Sequence, residues 1–119
     1  MPFDAELAAR LKRVVIAKFS DVTTLVETRM FGGFGYMLNG NMCIGIHRDT
    51  LIVRIGADAA ETMIHEPHVR PMDLTGKVMK GWATIEPKAI ENDSALTRFC
   101  QLAISYVREL PAKQEKSKK

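Results

Sequence analysis

Cys43, His47 and Arg54 put a thiol, an imidazole and a guanidinium into one short stretch of chain. A nucleophile, a base and a thiolate-stabilising cation are drawn from such a set. In an extended reading Cys43 and His47 share a strand face, but four strand residues separate them by roughly 13 Å, beyond hydrogen-bond reach. No dyad forms at that spacing. Arg54 falls opposite Cys43 and would lower its pKa, so a thiol-dependent or small-ligand enzyme centred on Cys43, Tyr36 and Arg54 stands as the alternative to a packed, inert thiol. His65-Glu66-Pro67-His68 has its histidines at i and i+3 with a proline between them. A zinc helix needs i and i+4 on one face, so a surface turn is expected here. Gly32, Gly33, Gly35 and Gly40 lack the Lys-Ser/Thr and the helix start of a phosphate loop. The residue types therefore assign no catalytic, cofactor-binding or metal-ligating position.

The elements that hold these side chains are set by turn chemistry and periodicity. Asn39-Gly40 sits between alternating apolar runs and predicts a two-residue hairpin, because both central positions of a type I′ turn need positive φ. Arg48-Asp49 is the second expected turn. Thr23 to Phe31 reads as a strand or extended lead-in to the glycine pair. Leu7, Leu11, Val14, Val15 and Phe19 follow Asp4 at helical spacing, and Asp4 is the expected N-cap. Ala57 to His65 reads as a short helix ended by Pro67. Val69 to Leu74 and Lys77 to Ile85 supply one or two edge strands. The last helix is capped by Asp93 or Ser94, carries Leu96, Phe99, Cys100, Ala103, Val107 and Leu110 on one stripe, and is stopped by Pro111. The result is an α+β domain of order α-β(3-4)-α-β(1-2)-α, with helices on one face of a curved antiparallel sheet.

Counting back from Asn39-Gly40 in steps of one places Met37 beside Met42, Tyr36 beside Cys43, Gly35 beside Ile44 and Phe34 beside Gly45. One face then collects Met37, Met42, Ile44, Ile46, Leu51, Val53 and Ile55 as the core, with Gly33 and Gly35 thinning it for a helix. The other carries Phe34, Tyr36, Leu38, Cys43, His47, Ile52 and Arg54. That second face is too apolar for water. Phe34, Tyr36, Leu38, Ile52 and Arg54 are accordingly the expected partner interface, with a second copy of the chain as the simplest occupant. Trp82 fits either core or rim.

The 119 residues carry a formal charge of +3, with 46% apolar residues. That suffices for one domain with its own core. The positive excess lies wholly in the tail, where Lys113, Lys116, Lys118 and Lys119 stand against Glu115, leaving 13 basic and 13 acidic residues before it. The expected division is therefore a domain over residues 1–111 and a basic, disordered tail over 112–119. A neutral body argues against specific nucleic-acid binding, although Phe34, Tyr36 and Arg54 together resemble a stacking platform. Two cysteines without close spacing suggest neither a disulfide framework nor a zinc site. No bilayer-length apolar run and no secretory signal are seen, so a cytoplasmic protein is expected.

Arg29-Met30-Phe31-Gly32-Gly33, the Asn-Gly hairpin after it, Leu51 to Ile55, Gly81-Trp82 and the closing helix together resemble the N-terminal domain of the TfoX/Sxy family of bacterial competence regulators. The resemblance covers roughly residues 4–110. It implies a fold similar to the type III secretion chaperones and points to regulation of competence or other gene expression; the expectation for this chain is a non-enzymatic interaction module acting through protein contacts, without a cofactor. The longer regulators of the family carry a second domain, and the present chain resembles the stand-alone members.

Overall fold

The computed structural model describes residues 5–20, 25–30, 33–72 and 80–110. Helix α1 (Ala5–Lys18) leads into four strands, β1 (Leu25–Met30), β2 (Gly33–Leu38), β3 (Asn41–His47) and β4 (Thr50–Arg54). Helix α2 (Ala57–Met63), strands β5 (Val69–Pro71) and β6 (Trp82–Ile85), a 3-10 turn (Pro87–Ile90) and helix α3 (Asp93–Val107) complete it. Among the described residues six strands form one antiparallel sheet in the order β1-β2-β3-β4-β6-β5. This is the expected α+β architecture, with four strands before α2 and two after it. Among the described residues, no helix is long and apolar enough to cross a membrane. The Asp4 cap, Phe31, Gly32 and the tail after Leu110 fall outside the described residues.

Both turns form where their residues demand. Asn39 (φ 55°) and Gly40 (φ 82°) take the left-handed geometry of a type I′ hairpin, and Arg48 (φ 58°) turns the chain from β3 to β4. The Thr50 hydroxyl donates to the His47 carbonyl at 2.8 Å and closes that second turn. Helix α3 is capped by Asn92, not by Asp93 or Ser94. The Asn92 side-chain oxygen accepts the Ala95 N–H at 2.8 Å, satisfying one of the donors that every helix start leaves open.

The face assignment read from the turn needs one correction. Leu38 does pair with Asn41 and Met37 with Met42, but the register then shifts, so Tyr36 faces Ile44, Gly35 faces Gly45 and Phe34 faces Ile46. Cys43 is the extra residue of a β-bulge, and beyond it the alternation of β2 against β3 is inverted. Phe34, Tyr36, Leu38 and Cys43 therefore join Ile44, Ile46, Leu51 and Val53 in the main core, with the buried stripes of α1, α2 and α3. Phe34 and Tyr36 meet edge to face, ring centroids 5.6 Å apart. Met37 and Met42 are only half-buried, and Gly35 and Gly45 stand opposite each other. The glycines thus do not thin the helix-covered side.

Helix packing follows the stripes. The stripe Leu7, Ala8, Leu11, Val14 and Val15 of α1 is buried, as are Leu96, Phe99, Cys100, Ala103, Ile104 and Val107 of α3. The Arg10 guanidinium ties the two helices, donating to the Ile90 carbonyl at 2.8 Å and pairing with Asp93 at 3.1 Å. At the opposite end of the domain the Gly81 carbonyl accepts from both Ile55 N–H (2.8 Å) and Gly56 N–H (3.0 Å). One acceptor thus fixes the end of β4, the start of α2 and the approach to β6.

Candidate functional site

The residues expected to form an open interface are dispersed by the bulge. Phe34, Tyr36 and Leu38 are buried in the main core, while Ile52 is fully buried in a second cluster with Met72 and Trp82, flanked by Met42. As a joint docking face these five positions do not survive, because the helices cover one subset and the second cluster encloses Ile52. Arg54 alone is partly open. Its guanidinium lies 5.8 Å from the Trp82 ring centroid, a cation–π contact between paired positions of β4 and β6.

The thiols sit in the same enclosed region. Burial pushes the Cys43 thiol up to about 12, against a smaller lowering by Arg54. Burial also takes Cys100 to about 12, with a further rise from the neighbouring Cys43. Tyr36 reaches about 12 by burial, with Glu27 and Cys100 adding to it. All three groups stay protonated at neutral pH. A nucleophilic thiol needs an electropositive, partly open setting, and Cys43 is fully buried.

The His65–His68 segment forms the expected turn, and its polar groups are engaged in surface ion pairs. Glu66 accepts two hydrogen bonds from Arg98 of α3, at 3.0 and 2.8 Å, and Arg98 holds its carboxyl below the usual range. His68 Nδ1 lies 3.7 Å from Glu86, which also takes the Arg70 guanidinium at 3.1 Å. These contacts set the turn against Glu86, just after β6, and against α3.

A concave site lies elsewhere, between α2 and the start of β6. It is a groove of about 310 Å³ walled by Ala57, Ala60, Ile64, Pro71, Gly81 and Trp82, with Glu61 and Lys80 at its mouth. Local sequence explains each wall. Gly56, at φ 92° and ψ 153°, lets the chain leave β4 and enter α2 at an angle an L-residue resists. Helical spacing then sets Ala57, Ala60 and Ile64 along one side of α2, two of them small enough to leave a hollow. Pro71 ends β5, and Gly81 (φ 88°) turns the chain into Trp82, whose indole belongs to the second cluster. Charges of both signs at the mouth of an apolar hollow suit an inserted apolar side chain with polar flanks.

Sequence reasoning missed this groove, although Ala57, Ala60 and Ile64 at i, i+3 and i+7 followed by Gly81-Trp82 were its visible traces. It reads Thr23 to Phe31 as a strand or extended lead-in, which holds β1, but does not place that strand at the sheet edge. That strand bounds the sheet, and its Val26 is 59% exposed, one of only two large apolar side chains so exposed among the described residues. A family model described as the TfoX N-terminal domain matches residues 17–107. No curated protein and no solved structure matches the chain.

Proposed function

The chain belongs to the TfoX N-terminal domain family, and from that premise we propose that it is a non-enzymatic interaction module of the cytoplasm that regulates competence or other gene expression through protein contacts. The observation that carries this reading is the groove between α2 and β6. Its walls are apolar, it opens to the surface, and its volume of about 310 Å³ accommodates a large apolar side chain from a partner segment. Glu61 and Lys80 at the mouth favour a segment with charges of both signs on either side of that anchor. A thiol-dependent activity at Cys43 draws less support, because a buried thiol raised to about 12 supplies almost no thiolate at neutral pH.

The test is genetic and site-specific. Deleting the gene in its native host is expected to lower transcripts for DNA uptake, and the unmodified chain restores them. Ala57→Glu puts a charge at the groove wall from an exposed position in the first turn of α2, where acidic residues suit the helix. This variant is expected to fold and to fail in restoring transcript levels. Unchanged transcripts in the deletion strain refute the regulatory reading; full restoration by Ala57→Glu refutes the groove.

A further inference from the structure

We infer that β1 pairs edge to edge with β1 of a second copy of the chain, joining two six-stranded sheets across a two-fold axis. The two boundaries of the sheet are built differently. The outer strand β5 has three residues, ends in Pro71, which has no N–H to offer, and carries Arg70 paired to Glu86. Such an edge is blunted against pairing. Strand β1 has six residues, none of them proline or glycine, and pairs with β2 along its whole length. Among the described residues nothing pairs with its outer side.

The hairpin turn decides which backbone groups are offered there. In a two-residue turn the flanking residues Leu38 and Asn41 form a hydrogen-bonded pair, so Leu38 directs its backbone groups to β3. Alternation then turns Met37, Gly35 and Gly33 toward β1, where they face Val26, Thr28 and Met30. Leu25, Glu27 and Arg29 are left with their N–H and C=O groups on the outer side. Among the described residues no strand takes up these groups, and an edge of this kind is a template for strand addition.

Symmetry then selects the register. Facing pairs in an antiparallel ladder alternate between hydrogen-bonded and non-bonded types, so a two-fold axis must pass through a residue facing its own copy. Centring on Glu27 would oppose two carboxylates, which is destabilising. With Val26 at the centre, the axis would lie near the beginning of the strand and engage little of it. Thr28 at the centre sets Thr28 against the partner's Thr28, Glu27 against the partner's Arg29 and Val26 against the partner's Met30. At these register positions the residue types are acidic opposite basic, apolar opposite apolar and threonine opposite itself, each a favourable combination. The Glu27 and Arg29 pairs are also the ones whose backbone groups point outward, so they exchange main-chain hydrogen bonds. Lys12, 3.3 Å from Glu27, adds a further cation on the helix side of that pair. Because each copy offers one open edge and self-pairing consumes it, assembly closes at a dimer.

This surface lies at the sheet edge opposite the groove, and each can fail without the other. The unmodified chain is expected to sediment as a dimer at about 100 μM, near the affinity range of modest strand-mediated association. Arg29→Glu and Glu27→Arg each set like charges opposite one another, and each is expected to weaken the dimer at least about tenfold. Mixing the two variants restores opposite charges at both facing pairs and is expected to return a heterodimer. Amide exchange supplies a measurement free of substitution: Leu25, Glu27 and Arg29 should gain protection with rising protein concentration. A chain that stays monomeric, a mixture that does not associate although both variants fold, or concentration-independent exchange at these amides overturns the inference. If either variant fails to fold, the exchange measurement on the unmodified chain decides. A monomer that still restores transcripts overturns the dimer alone, whereas a dimer whose deletion changes no transcript overturns only the regulatory reading.

Discussion

Gly56→Ala is the substitution whose cost the geometry states most fully. The residue holds φ 92° and ψ 153° at the start of α2, a region open in practice to glycine. Placing a Cβ-bearing residue there costs about 1–3 kcal/mol in backbone strain. A Cβ built on Gly56 would also lie 2.7 Å from Tyr106 Cε1 and 3.0 Å from Cδ1. Real carbon atoms do not approach so closely, and overpacking of this kind costs about 1–3 kcal/mol. Tyr106 is half-buried on α3, so its ring can yield in part and the steric share belongs at the low end. The expected loss is about 3 kcal/mol, a fall in melting temperature of roughly 10–20 °C for a domain of this size. Urea unfolding followed by circular dichroism measures it, and an unchanged denaturant slope shows that the loss is one of stability. In a Tyr106→Leu background the steric share should return while the strain share remains. A loss below about 1 kcal/mol refutes the strained geometry, and equal losses in both backgrounds remove Tyr106 as a cause.

The remaining expectations address the core, the thiols and a cap. Phe34→Asp together with Ile52→Lys should abolish folding, since each charge would be buried without a partner at a cost of several kcal/mol; a cooperative melt for that variant would return these residues to the surface. Cys43 and Cys100 should not react with an aromatic disulfide reagent at pH 8 in the native state and should both react in denaturant. Their raised pKa values also fix the sign of a pH effect. The folded state keeps the protons that unfolded thiols lose, so stability should fall as pH rises from about 9 toward 12, and a flat profile there would contradict thiol burial. Asn92→Ala removes the cap on α3 and should cost about 1 kcal/mol, read as a lower urea midpoint.

Much of the fold was legible because its signals are local. Asn39-Gly40 needs positive φ, and the stripes on α1 and α3 repeat at helical spacing, so the turns and the principal helices follow from neighbours in sequence. The faces of β2 were not legible in the same way, because pairing was counted through a bulge that no turn residue marks. One signal did favour the observed answer. Phe34, Tyr36 and Leu38 alternate with Gly33, Gly35 and Met37, and the large side chains of a strand belong together against the helices. The candidate groove was beyond periodicity, since it joins Ala57, Pro71 and Trp82 from separate elements. Both candidate interaction surfaces depend on long-range strand order: the groove on the insertion of β6 between β4 and β5, and the open edge on β1 lying at the end of the sheet beside β2 alone.

The bulge at Cys43 behaves like a change of reading frame. Between the turn and Met42 the hairpin is read in one phase, and past Cys43 it is read in the other. The phases differ in which residue of β3 each residue of β2 faces. Removing Cys43 would join Met42 directly to Ile44 and leave a regular ladder in which Tyr36 still faces Ile44 and Phe34 still faces Ile46, at the loss of the bulge and its buried thiol. The same length change made in the two-residue turn would not be absorbed, because loop length sets the register of the strands it joins. A single buried residue thus takes up one step of chain between the hairpin tip and the helix-packed part of the sheet, and its replacement by another small apolar residue should be tolerated.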